Sequence, residues 1–157
     1  MHVIGKLLLA TDLSPASAPA TNEAFELAAR LQVPLLVVSV IDPGQLRLPG
    51  GRFGARVDQV RAQREQVAQD LVEQGRRAGI GVSFLVWEGD PGESIIEAAR
   101  AEHVDLIVVG SHGRGAVGRF LIGSVSDHVV RNASCPVLVV RARSEEPAVP
   151  LEASRPR

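Results

Sequence analysis

Residues 104–126 read VDLIVVGSHGRGAVGRFLIGSVS and place glycines between an apolar stretch and a helical pattern. The apolar stretch, Val104–Val109, predicts a buried strand, and Val125–Asn132 predicts a helix. The glycine spacing is Gly110-x-x-Gly113, nine residues, then Gly123-Ser124. Glycines let the backbone approach an anion closely, and N–H groups at the next helix start face that anion. The order of strand, glycine loop and helix therefore predicts a phosphate-binding arrangement.

Strand and helix patterns alternate along the rest of the chain. Apolar runs predict strands at Val3–Ala10, Leu35–Ile41, Val82–Val86, Asp105–Val109 and Cys135–Val140. Helical spacing predicts helices at Pro15–Leu31, Ala55–Ala78, Ile95–Ala101 and Val125–Asn132. The run Leu35–Ile41 is apolar almost throughout, which is typical of a strand buried on both faces. The fold class is therefore α/β: a doubly wound five-stranded parallel sheet with helices on both faces.

The length of 157 residues predicts a single domain, which we place at residues 1–142. Residues 143–157 are predicted to form a disordered C-terminal tail. The glycine- and proline-rich segment Asp42–Phe53 is predicted to be a loop. Two interpretations of this loop stay open: a lid over a ligand, or a mobile crossover.

Composition argues against several classes of protein. The 17 basic and 18 acidic side chains give a net charge of −1, which does not favour a nucleic-acid or membrane-surface binder. Aromatic residues make up 3% of the chain, too few for a platform that stacks bases. The single cysteine, Cys135, excludes an internal disulfide and a cysteine-cluster metal site. The N-terminus lacks a signal-peptide pattern and no apolar run is long enough to cross a bilayer, so we expect a cytoplasmic location.

Three phosphate-loop interpretations compete for the glycines. A P-loop of the Walker A type needs a lysine after its second glycine, and no lysine lies in this region. A dinucleotide fingerprint occurs at Gly113-Arg-Gly115-Ala-Val-Gly118, but the next strand ends in Val140-Arg141 rather than in an acidic residue. The third interpretation is a phosphate-binding loop with the long spacing Gly-x-x-Gly-x9-Gly-Ser, and neither of the other two motifs contains this spacing.

At this spacing the sequence resembles the ATP-binding branch of the universal stress protein family. The resemblance covers roughly residues 3–141. It rests on Ala10-Thr-Asp12-x-Ser14, Val108–Arg114, Gly123–Ser126 and Cys135–Val140. It implies the strand order 3-2-1-4-5 of an adenine nucleotide alpha hydrolase-like fold, and binding of ATP, accompanied by Mg²⁺.

The resemblance also implies which residues hold the nucleotide. Asp12 and the backbone near Val40 would hold the adenosine part, while Gly110 and Gly113 would border the ribose and phosphates. N–H groups and hydroxyls at the start of the last helix would hold the phosphates, and Arg114 would add a charge-assisted contact. The full nucleotide-binding set is Thr11, Asp12, Val40, Gly110, His112, Gly113, Arg114, Gly123, Ser124, Val125 and Ser126. No catalytic residue and no metal ligand from the protein is assigned.

Purely structural roles compete for two of these positions. Ser124 and Asp127 have the spacing of a capping box, and Asp12 has the position of a cap for the first helix. A carboxylate at Asp127 would also repel a triphosphate unless Mg²⁺ or solvent intervenes. Both kinds of role are compatible at the last helix, because N–H groups that need a cap are also able to hold a phosphate.

The expected function is that of a small cytoplasmic ATP-binding sensor or regulator in stress adaptation. Hydrolysis is expected to be slow or absent, since no general base, Walker B acid or arginine finger can be named. Two alternatives stay open: an adenine-nucleotide hydrolase or nucleotidyl transferase that uses Mg²⁺, and a nucleotide-free interaction module. The resemblance and the open edge of the last strand predict a homodimer through Pro136–Val140.

Overall fold

The apolar runs of the sequence form strands, because aliphatic and β-branched side chains fit a sheet covered on both faces. A computed structural model describes residues 3–46, 53–111 and 122–142. Within these ranges the strands are β1 Leu7–Ala10, β2 Leu35–Ile41, β3 Val82–Glu88, β4 Leu106–Gly110 and β5 Val137–Val140. The helices are α1 Ala18–Leu31, α2 Phe53–Arg77, α3 Pro91–Ala101 and α4 Ser124–Asn132, with short 3₁₀ turns at Pro15–Ser17 and Pro43–Leu46.

The strands pair in parallel throughout and form one sheet in the order β3-β2-β1-β4-β5. Each connection carries a helix, as parallel neighbours require. The predicted α/β class, the number of strands and the order 3-2-1-4-5 are confirmed. In the centre of the sheet Ala10 of β1 lies between Val38 of β2 and Val109 of β4, so the carboxyl ends of these strands lie side by side.

Helices cover both faces of the sheet. On one face α3 and α4 pack through Ile95, Ala98 and Val129 against alternate strand residues such as Leu8 and Val38. On the other face α1 and α2 pack against the intervening strand residues, with Ala20, Ala24, Ala28 and Leu71 in the core. Residues Leu7, Leu8 and Leu9 of β1 are all fully buried, which explains why this strand shows no alternation in the sequence.

Two element boundaries at the N-terminus differ from the sequence-based prediction. Strand β1 begins at Leu7 rather than at Val3, which is 76% exposed. The α-helix begins at Ala18 rather than at Pro15, after a 3₁₀ turn. The physical reason is Pro19, which lacks an N–H group and fits only the first turn of an α-helix.

The start of α3 is four residues earlier than predicted, at Pro91. The predicted cap at Asp90 is confirmed, because its carboxylate accepts a hydrogen bond of 3.0 Å from the Glu93 N–H. Residues 47–52 of the predicted loop and the predicted tail at 143–157 lie outside the described residues. In the described part of the chain, no helix combines the length and apolar character needed to span a membrane.

Candidate functional site

The carboxyl ends of β1 and β4 form the centre of the candidate site. The chain leaves β1 towards β2 on one side, whereas β4 pairs on the other side, so the strand order reverses between these two strands. Parallel sheets bind ligands in the crevice at such a reversal. The residues that follow the strands here are Thr11–Ser14 after β1 and Ser111 after β4.

Hydrogen bonds fix the segment after β1. The Asp12 carboxylate accepts a bond of 2.9 Å from the Ser14 N–H. The Thr11 hydroxyl accepts a bond of 3.0 Å from the Leu13 N–H and donates one of 2.9 Å to the Ser17 hydroxyl. Leu13 has a left-handed φ of 61°, which the two turn-forming side chains support. The N-cap of α1 is Ser17, so Asp12 does not cap this helix and instead sits in a turn at the sheet edge.

The start of α4 is organised by its backbone and not by a capping side chain. Gly123 is the N-cap, and no side chain makes a capping hydrogen bond. The capping-box interpretation is therefore wrong: Asp127 instead pairs through Oδ2 with Arg131 Nε at 2.9 Å. This ion pair reduces the repulsion that we expected between the Asp127 carboxylate and a triphosphate.

The first hydrogen bond within α4 runs from the Asp127 N–H to the Gly123 carbonyl at 2.9 Å. The N–H groups of Ser124, Val125 and Ser126 precede it, so the helix itself does not use them. These are the donors that the positive end of a helix dipole presents to an anion. The arrangement therefore matches what a phosphate site requires at this helix start.

Hydrogen bonds tie the start of α4 to the end of β4. The Gly123 N–H donates to the Ser111 carbonyl at 2.8 Å, and the buried Ser126 hydroxyl donates to the Gly110 carbonyl at 2.5 Å. The proton of the Ser126 hydroxyl is thus engaged with the sheet. The segment between these anchors contains His112, Gly113 and Arg114, which lie outside the described residues, so their roles stay predictions.

Two arginines of α2, which the sequence did not reveal as part of this edge, contact the ends of β2 and β3. Arg64 of α2 donates through Nη1 to the Ser39 hydroxyl at 3.0 Å and to the Val40 carbonyl at 2.8 Å. One turn earlier, Arg61 donates to the Val86 carbonyl at 2.7 Å and pairs with Glu88 of β3. The only sequence signal was a pair of arginines with helical spacing, which does not reveal the strand ends that they contact.

A small hollow lies beside the reversal point, on the side of α1. Its lining residues come from the start of α1, from the ends of β4 and β5, and from the chain that follows: Ala16, Ser17, Pro19, Ala20, Gly110, Ser111, Val140 and Ala142. The Ser111 N–H donates to the Val140 carbonyl at 2.8 Å, and this bond joins two of the residues that line the hollow. The described residues thus bring Thr11, Asp12, Gly110 and the start of α4 to one edge of the sheet.

Two further possibilities for this protein are a reactive cysteine and a metal site. Burial raises the pKa of the Cys135 thiol above its usual value, with a smaller contribution from the Asp105 carboxylate. A thiol with a raised pKa is a poor nucleophile at neutral pH, as expected for a packing residue. Across residues 3–46, 53–111 and 122–142, no three histidine, cysteine or acidic side chains form a cluster that could hold a metal ion.

A family model described as the universal stress protein family matches residues 4–141. The chain belongs to this family. A universal stress protein of Methanocaldococcus jannaschii is 29% identical over 143 residues, which cover 90% of the chain and 84% of that protein. A universal stress protein of Mycolicibacterium smegmatis is 38% identical over 139 residues, 87% of the chain, and the chain spans 46% of that protein's length.

Solved structures of universal stress proteins share the fold. A family member from Burkholderia pseudomallei is 30% identical, with a TM-score of 0.75 over 90% of this chain and 99% of that one. A universal stress protein in complex with cAMP has 23% identity and a TM-score of 0.66, covering 89% of this chain and 98% of that one. One from Archaeoglobus fulgidus in complex with dAMP has 22% identity and a TM-score of 0.64, covering 88% and 99%.

Proposed function

We propose that this universal stress protein binds an adenine nucleotide, ATP with Mg²⁺, at the carboxyl edge of its sheet. The observation that carries the proposal is the start of α4. There, a glycine cap without a capping side chain leaves the N–H groups of Ser124, Val125 and Ser126 outside the helical hydrogen bonds. Two proteins of the same fold hold the adenine nucleotides cAMP and dAMP, which supports this class of ligand.

The dimensions of the site suit a nucleotide that lies across the strand ends. Neighbouring strands are about 4.8 Å apart, so the end of β2 is about 10 Å from the end of β4. Phosphates at the start of α4 would place the adenosine over Asp12 and Val40, near the ends of β1 and β2. Gly110 and the segment with His112, Gly113 and Arg114 would border the ribose and phosphates, with Thr11 beside Asp12. Mg²⁺ would neutralise part of the phosphate charge.

We infer a regulatory rather than a catalytic role: an ATP-binding cytoplasmic sensor or regulator of stress adaptation with slow or no hydrolysis. Among the described residues at the site, the Thr11 and Ser126 side chains hold turns and strand ends, which supports a binding role for this edge. The nucleotide would act by stabilising the folded protein, since a ligand that binds only the folded state raises the free energy of unfolding.

The Gly123→Val variant tests the site. Gly123 has φ −58° and ψ 156°, a conformation that residues with side chains adopt readily. The backbone at this position therefore accepts a valine without strain. We expect a branched side chain to occupy the space beside the helix start and to weaken ATP binding at least about tenfold by steric exclusion. Affinity is measured by calorimetry on protein stripped of nucleotide.

The control for this variant is its folding. A valine at the N-cap is expected to cost about 1 kcal/mol, which circular dichroism would detect as a melting temperature lower by roughly 2–4 °C. A folded Gly123→Val protein with the ATP affinity of the parent would contradict the phosphate site at α4.

A further inference from the structure

We propose that Arg61 closes the outer side of β3 against a second copy of the chain, and so confines self-association to the outer side of β5. These two strands are the outermost strands of the sheet. An outermost strand carries backbone groups that no neighbouring strand uses, and these groups are a template for pairing with another chain. A sheet that is open on both outer sides is able to assemble without limit, whereas one open side allows only a closed pair.

The register of β3 shows which of its backbone groups face outward. The Gly81 carbonyl accepts a bond of 2.9 Å from the Leu35 N–H of β2. The Gly89 N–H donates a bond of 3.0 Å to the Ile41 carbonyl, so the odd-numbered residues face β2. Backbone groups alternate between the two sides of a strand. The outward set is therefore Val82, Phe84, Val86 and Glu88.

Arg61 occupies the outer side of β3 near its carboxyl end. Its Nη1 donates to the outward Val86 carbonyl at 2.7 Å, and its Nη2 pairs with the Glu88 carboxylate at 2.7 Å. A carbonyl is able to accept a second hydrogen bond, so the obstacle to pairing is the guanidinium group itself. An added strand would lie about 4.8 Å from β3, where this charged group already stands. Pairing there must displace the arginine or bury the ion pair, and burying both charges carries a large desolvation cost.

The helix that carries Arg61 lies along the whole of β3. Near the other end of α2, a Cβ on Gly75 would overlap the Val82 side chain, so the helix closely approaches the first residue of the strand. The span from Arg61 to Gly75 is about 21 Å of helix, and that from Val82 to Glu88 is about 20 Å of strand. Because the two lengths match, α2 covers this strand from end to end, and Arg61 extends the cover to its outer side.

The opposite side of the sheet has a different character. Strand β5, Val137–Val140, is entirely aliphatic, and all of its residues are half-buried. Its outward backbone groups therefore lie among apolar side chains, which a second apolar strand is able to cover. Self-association is directed to β5, where the sequence predicts the homodimer, and ends when that side is filled.

The variant Arg61→Met with Glu88→Gln opens the outer side of β3. The net charge of the chain does not change, and methionine replaces much of the apolar stem of the arginine. We expect the weight-average mass by sedimentation equilibrium to rise with protein concentration to at least about twice that of the parent, as further copies join. The matched control is Arg76→Met with Glu73→Gln, the same exchange in an exposed ion pair of α2, which should keep the mass of the parent.

A third variant separates pairing along β3 from aggregation of a poorly folded protein. Arg61→Met with Glu88→Pro also lacks both charges, but its proline removes an outward N–H and no bond to β2. We expect this variant to keep the mass of the parent and to share the circular dichroism spectrum of the other variants.

Two results would overturn the proposal. The first is that Arg61→Met with Glu88→Gln has the mass of the parent at every concentration, since β3 would then stay closed without Arg61. The second is equal association of the Gln and Pro variants, because the copies would then meet elsewhere. The parent protein, whether monomer or dimer, is the reference in each comparison, so these results are separate from a test of β5 and from nucleotide binding.

Discussion

At the scale of single residues, the carboxyl edge is held together by hydroxyl groups that bond to the backbone. Ser126 is the clearest case, because its buried hydroxyl donates to the Gly110 carbonyl and joins α4 to β4. Its neighbour Ser124 is exposed and makes no capping bond. The two serines therefore have different roles, although the sequence predicted both to bind the nucleotide.

The Ser126→Ala variant is expected to lower the free energy of unfolding by about 1–2 kcal/mol, because it removes this hydrogen bond and leaves a carbonyl without its partner. Ser124→Ala is the matched control and should change stability by less than about 0.5 kcal/mol. Urea denaturation measures both. Equal stability of the two variants would show that the bond between Ser126 and Gly110 contributes little.

Residue-level predictions succeeded where a side chain acts on its own neighbours in sequence. The cap at Asp90 follows from the next three residues and is confirmed. The capping box at Ser124 and Asp127 failed because the N-cap is Gly123, one residue earlier, and its N–H donates to the Ser111 carbonyl. Arg64 was missed because its partners lie 24 and 25 residues away, in a strand that only the fold brings near.

At the scale of elements, helix ends without glycine are a source of strain. Helix α1 ends at Leu31, and the next residue, Gln32, has a left-handed φ of 54°. The end of α2 has Gly79 at φ 74°, where glycine adopts this conformation without cost. The sequence predicted both ends to within one residue, that of α2 from its glycines and that of α1 from helical spacing alone, because glutamine carries no glycine-like signal.

Replacement of Gln32 by glycine is expected to stabilise the protein by about 1 kcal/mol, the cost of a left-handed conformation for a residue with a side chain. Gln32→Ala removes the side-chain bond to the Ala29 carbonyl but keeps the strain, so it should not stabilise. Thermal unfolding of both variants tests this expectation. A Gln32→Gly protein that is less stable than the parent would mean that chain entropy outweighs the strain.

At the scale of the whole molecule, the apolar strand runs predicted a parallel sheet covered by helices on both faces, whereas the order 3-2-1-4-5 was predicted only from the resemblance to the family. The same pattern leaves β5 at one edge of the sheet with its residues half-buried. We propose that this edge, Pro136–Val140, pairs with a second copy of the chain. The carbonyls of Pro136 and Val140 face β4, so alternation directs the backbone groups of Val137 and Val139 outward.

The Val139→Pro variant tests the dimer without disturbing the bonds between β5 and β4. Proline at this position removes an outward N–H, whereas Leu138→Pro would remove one that faces β4. We expect the parent protein to be a dimer by light scattering and Val139→Pro to be a folded monomer. A parent protein that is monomeric at all concentrations would contradict pairing through this edge.

The most direct test of the central claim, a nucleotide site at the carboxyl edge, is a calorimetric titration of the stripped protein with Mg²⁺-ATP. We predict saturable binding with one site per chain and a dissociation constant in the micromolar range, accompanied by a rise in melting temperature. Absence of both heat and thermal stabilisation would contradict the account. The glycine segment would then serve only to connect β4 to α4, and the protein would be a nucleotide-free interaction module.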